Sequence, residues 1–186
     1  MALRMKTRFR HGGKKTPAER ASVVAFNFWK VAQELYRRMQ KEDFKFGSGD
    51  QIVAIMTETL AFLVQVADRL VYGKLPEDER QEFVTALGLK LAEAIQSNLT
   101  DLHGPADYQT PFIRTLNERF GDYAEFDFSG GKPGYGFLRY FAEKVSTGIA
   151  ASDNKWVSEY VMEIEAPEAL KHARRVVHEV MGIPLG

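Results

Sequence analysis

Four histidines, His11, His103, His172 and His178, are the side chains best suited to grip a metal or move a proton near neutral pH. A di-iron site in a helical bundle needs Glu-x-x-His on two helices, so that both ligands leave one face together. The residues three before the histidines are Arg8, Thr100, Ala169 and Arg175, so that motif is absent. Glu168 and His172 stand four apart, the spacing of a surface contact along a helix. No His-Glu-x-x-His run occurs. A phosphate loop needs Gly-x-x-x-x-Gly-Lys followed by Ser or Thr; Gly130-Gly131-Lys132-Pro133 fails, because Pro follows the Lys. No Gly-x-Ser-x-Gly elbow is present. With no cysteine, thiol catalysis, Cys-ligated zinc and iron–sulfur sites and disulfide frameworks are excluded. These patterns lead us to expect no catalytic residue, no metal and no cofactor.

Two further groups could recognise rather than react. Between Phe120 and Phe141 the chain holds eight aromatics and five glycines. Tyr123, Phe126, Phe128, Tyr135 and Phe137 could line an apolar pocket or a partner site, since such sites are aromatic-rich with few polar groups. The competing reading is a core with a loop pinned onto it. The second group is basic. Lys171, Arg174, Arg175 and His178 share one side of the last helix and could bind an anion. Their place near a helix C-terminus has a structural reason as well, because cations complement the negative end of the dipole.

The elements that must position these groups read as helices. Thr16-Pro17-Ala18-Glu19 is a capping box with Pro at the first helical position. Phe28, Ala32, Leu35 and Met39 then recur at helical spacing up to a stop before Gly47. A second helix is expected from Ser48, with Gln51 completing another capping box. Along it Gln51, Glu58, Gln65 and Tyr72 recur every seven residues and, with Arg69, form one narrow polar seam. Such a helix is central to a bundle or lies at a subunit interface, and Glu58 reads as a solvated carboxylate. Its apolar run, Ile52 to Tyr72, is long enough for a bilayer, but Glu58, Asp68 and Arg69 argue against a membrane span.

Pro76-Glu77-Asp78-Glu79 starts a third helix, in which Gly88 would mark a close crossing. Thr110-Pro111 starts a fourth that Gly121 should stop. Residues 124–129 alternate with period two and suggest a short strand, followed by a turn and a fifth helix near Phe137 to Ile149. A small hairpin involving Tyr135 and Phe137 is the variant. Ser152-Asp153 should cap a sixth helix that Pro167 kinks or restarts near Ala166. The expected fold is therefore all-α, a single-domain bundle of six or seven helices with one short strand or hairpin near 124–137.

The chain has 186 residues, 25 basic and 25 acidic, and 45% apolar side chains, an ordinary globular composition. A chain of this length hides about 70% of its unfolded surface and needs no staple. Residues 1–15 carry Arg4, Lys6, Arg8, Arg10, Lys14 and Lys15 with no acid, so they read as a flexible basic arm before a helical domain at 16–186. No apolar leader opens the sequence, and a cytoplasmic location is expected. The leading functional expectation is a non-catalytic interaction or regulatory module that self-associates as a homo-oligomer through helix two or the aromatic segment. A second is a protein that binds a small apolar ligand in an aromatic-lined pocket. A third, disfavoured by the acidic body, is a nucleic-acid or anion binder using the arm and the last helix.

Overall fold

The computed structural model describes residues 15–42, 44, 49–149 and 154–184. Its elements are α1 (Pro17–Lys41), α2 (Gly49–Val71), α3 (Glu77–His103), α4 (Gln109–Ala124), β1 (Phe128–Ser129), β2 (Lys132–Pro133), α5 (Tyr135–Thr147), α6 (Asn154–Tyr160) and α7 (Ala166–Met181), with a π-helical turn at Val161–Glu165. The fold is all-α with one two-strand antiparallel hairpin. Because the π turn joins α6 to α7 without a break, the chain makes six rods from seven α segments.

Capping chemistry sets the first rod. Thr16 Oγ1 accepts from the Glu19 N–H at 3.2 Å, and the Thr16 N–H donates to the Glu19 carboxylate at 3.0 Å. Two orphan donors are thus satisfied reciprocally. The expected caps Ser48 and Ser152-Asp153 lie outside the described residues. Pro76 stands one position earlier than the first helical turn, at the N-cap of α3.

The rod α2 is the axis of the bundle. It packs against α1, α3, α4, α5 and α7, and Leu60, Phe62, Leu63 and Val66 along it are fully buried. It is the one described helix with the length and hydropathy to cross a membrane, and 61% of that stretch is buried inside the fold, as expected of a core helix. Burial on nearly every side explains why so few of its positions are polar.

At Gly88 the crossing of α3 with α4 is as tight as the sequence suggested, since a Cβ there would come within 2.9 Å of Leu116 Cδ2. The end of α4 differs from expectation. Gly121 does not stop it, and the helix runs on to Ala124. A glycine inside a helix costs about 1 kcal/mol, and the extra turn buries Tyr123 completely. The strand is also shorter than its alternating pattern implied. Only Phe128–Ser129 pairs, with Lys132–Pro133. Gly130 and Gly131 join them with φ of +56° and +71°, the two positive values a type I′ turn requires. Tyr135 and Phe137 belong to α5, which begins two residues before the expected start.

Pro167 restarts the last rod at Ala166, as its missing N–H demands. The hydrogen-bond pattern widens to π geometry in the turn immediately before it.

Candidate ligand-binding site

Four of the five aromatics proposed as a pocket lining, Tyr123, Phe126, Phe128 and Phe137, pack against one another. Tyr123 and Phe137 are fully buried, with ring centroids 4.4 Å apart. Phe62 from α2 stacks on Phe141 at 4.1 Å and meets Phe137 edge-on at 5.8 Å. Phe128 and Phe126 close the cluster from the hairpin side, at 5.5 Å from Phe137 and 6.5 Å from Tyr123. Tyr135, at the first turn of α5, is 68% exposed and stands apart.

Beside this cluster lies a network that joins α2, α4 and α5. Glu58 accepts two hydrogen bonds from Arg119, at 2.8 and 2.6 Å. Arg119 also donates to Asp122 at 3.1 Å, and the Tyr140 hydroxyl donates to the same carboxylate. Glu58 is therefore not the solvated carboxylate that its seam suggested; its side chain is only 12% exposed, and an arginine 61 residues away neutralises it. Burial, then the hydrogen bond to Asp122, pushes the Tyr140 phenol well above its ordinary range. Each charge has its partner, so the network ties helices together and offers no group poised to react.

The basic residues of the last helix share one side of α7 but differ in exposure. Lys171 and Arg175 are exposed, whereas Arg174 and His178 are half-buried. Glu168 sits 3.7 Å from Lys171, and Arg175 contacts His172. Arg174 reaches over the hairpin, where a Cβ on Gly131 would lie 3.7 Å from its Nη2. Of the basic arm, only Lys15 is among the described residues. No cluster of three metal-ligating side chains occurs among the described residues.

The enclosed space lies elsewhere. A cavity of about 890 Å³ opens between α1, α2 and α3. From α1 come Trp29, Gln33 and Tyr36, each one turn after the last. The floor is apolar, with Ile52, Val53 and Met56 from α2 and Ile95 and Leu99 from α3. The rim is polar and largely satisfied. Asn98 Nδ2 donates to the Ala94 carbonyl at 2.7 Å, and Gln40 Nε2 donates to the Tyr36 hydroxyl at 2.6 Å. Arg37 is paired with Glu34. Gly49 admits the end of α3, because a Cβ there would lie 3.3 Å from His103 Cε1.

One polar atom in this wall is unsatisfied. Trp29 is 2% exposed, and its indole Nε1–H has no hydrogen-bond partner. A buried donor without a partner costs about 1–3 kcal/mol. Trp29 lies on the buried face of α1, next to Phe28 and one turn before Ala32. The signal that could have singled it out is polar Gln33 and Tyr36 following at one and two helical turns, which marks the edge of a wet cavity.

Comparison of the chain with family models, with curated proteins and with solved structures finds no match.

Proposed function

We propose that this protein binds a small, largely apolar ligand bearing a neutral hydrogen-bond acceptor, and that the ligand occupies the cavity between α1, α2 and α3. The observation that carries the reading is the unpartnered indole N–H of Trp29 in the wall of a cavity of about 890 Å³. Ligand sites are commonly apolar cavities of about 300–1,000 Å³ with a few placed polar groups. An acceptor on the ligand would take up the buried donor after the side chains that now cover the indole nitrogen give way, while the apolar floor would contribute about 25 cal/mol for each Å² it covers. The floor carries no charge, which favours a carbonyl, ether or ring nitrogen over an anion.

Self-association, the leading expectation from sequence, finds less support. Of the two surfaces proposed for it, α2 is the axis of the bundle, and Tyr123 and Phe137 lie in the core. The small-ligand reading keeps its chemistry and changes its place. A cytoplasmic setting belongs to the same proposal; the burial of α2 within the fold is compatible with it.

The chain has two tryptophans, and Trp156 is 66% exposed. In a Trp156→Phe background, emission reports on Trp29 alone. Titration with aromatic ketones, quinoline and aliphatic ethers should shift or quench that emission and raise the melting temperature. Trp29→Phe keeps a ring and removes the N–H, and should weaken binding about fivefold. A panel that moves neither emission nor melting temperature defeats the proposal, as does equal affinity in Trp29→Phe.

A further inference from the structure

We propose that the cavity between α2, α3 and α4 is a second and separate binding site, taking a monocarboxylate with an apolar body. This cavity measures about 730 Å³. On its α2 wall, Gln65 is 2% exposed and its amide Nε2 has no hydrogen-bond partner. Arg69 follows one helical turn later on the same face. Arg69 Nη2 donates to the carbonyls of Tyr123 at 3.0 Å and Ala124 at 3.5 Å. Those bonds anchor the guanidinium at the C-terminal end of α4 and leave its Nε and Nη1 donors uncommitted. Among the described residues, no carboxylate pairs with it.

Arg80 is paired with both Asp68 and Glu77, and its guanidinium lies 5.2 Å from the Tyr72 ring. Arg80 is therefore committed, and Arg69 is the guanidinium of this wall with donors to spare for an anion. One carboxylate would accept from Arg69 and, once the Gln65 amide turns its sealed Nε2 toward the cavity, from Gln65 as well, because donors one turn apart on a helix are about 5–6 Å apart at Cβ. Asp68 and Glu77 outnumber Arg80 by one charge, so a dianion such as phosphate would meet more repulsion here than a single negative charge held at Arg69. The remaining walls suit an apolar body. Val84 and Leu89 come from α3, and Ile113 and Phe120 from α4. Leu89 is 46% exposed, surface that a bound ligand would cover. Gln65, Arg69 and Tyr72 are three of the five residues of the polar seam of α2, so this site gives those positions a use that packing alone does not.

The test is calorimetric titration of the full chain with phenylacetate and octanoate, set against the neutral phenylethanol and octanol. The acids should bind, and the alcohols about tenfold more weakly or not at all. Gln65→Leu should reduce acid affinity about tenfold, with the melting temperature unchanged or raised, because an unpartnered donor is replaced by an apolar side chain of similar size. Gln65→Glu should abolish acid binding by charge repulsion, and Trp29→Phe should leave it unchanged, which separates this site from the first. The proposal is overturned if neither acid binds, if alcohols match acids, or if Gln65→Leu and Gln65→Glu bind the acids as well as the parent does.

Discussion

Arg38 and Glu165 stand 127 residues apart in the chain and form an ion pair whose carboxylate is fully buried. Arg38 Nε donates to the two carboxylate oxygens at 2.9 and 3.1 Å, and its Nη2 adds a bond of 2.6 Å. The Tyr160 hydroxyl donates to the same carboxylate at 3.0 Å. Glu165 is fully buried, whereas the Arg38 side chain is 34% exposed. That asymmetry decides which deletion hurts more. Arg38→Met would strand a carboxylate in the interior with only a hydroxyl for company, at a cost of about 3 kcal/mol or more. Glu165→Gln keeps a hydrogen-bonding group and leaves a cation that water can reach, at a cost of about 1–2 kcal/mol. Urea unfolding of both variants checks the order. A larger loss in Glu165→Gln would mean that water does not reach Arg38.

At the level of elements, short contacts between helices carry the geometry. Gly88 lets α3 and α4 approach until Leu116 fills the space a side chain would need. Gly88→Val should therefore destabilise by about 1–3 kcal/mol through overpacking, read as a lower urea midpoint at unchanged slope. The same variant should weaken carboxylate binding at the cavity this crossing borders. The π turn at Val161–Glu165 is another such device. It lets one rod continue past Pro167, whose ring cannot take an ordinary place inside a helix. It also places Glu165 where Arg38 of α1 and Tyr160 can reach it together. Phe44 packs edge-on to Tyr160 at 5.3 Å, closing that corner.

Across the whole molecule, phenols set the alkaline limit. Burial, followed by the Glu165 charge, raises Tyr160 to about 12 from the ordinary 10.0. Burial acts first on Tyr36, Tyr123 and Tyr140 as well, and raises each. A group whose folded value is raised contributes stability that is complete below its unfolded value and is lost as pH climbs to the folded one. Stability should therefore be flat below about pH 10 and fall steeply toward pH 12. Thermal melts followed by tyrosinate absorbance check this. Tyr160→Phe should flatten part of the slope, and a fall that begins near pH 8 would contradict the account.

Much of the fold was legible because its causes are local. The Thr16 capping box, the change of helical geometry beside Pro167 and the tight crossing at Gly88 each follow from one residue's backbone or side-chain chemistry. The errors arose where a distant partner outweighed a local preference. Gly121 is a helix breaker by type, yet burial of Tyr123 against Phe137 carries α4 past it. The alternation at 124–129 reads as strand, but its first residue completes a helix and only its last two pair.

Periodicity and capping along the chain determined the helices and the burial of most of the apolar stretch of α2, because those signals repeat within a turn or two. Only tertiary structure decided that Glu58 meets Arg119, that Glu165 meets Arg38, and that Trp29 and Gln65 keep donors without partners. Those outcomes depend on which rods lie side by side. Nothing within a few residues of an amide or an indole records whether the neighbouring helix will bring it an acceptor or leave it facing a cavity.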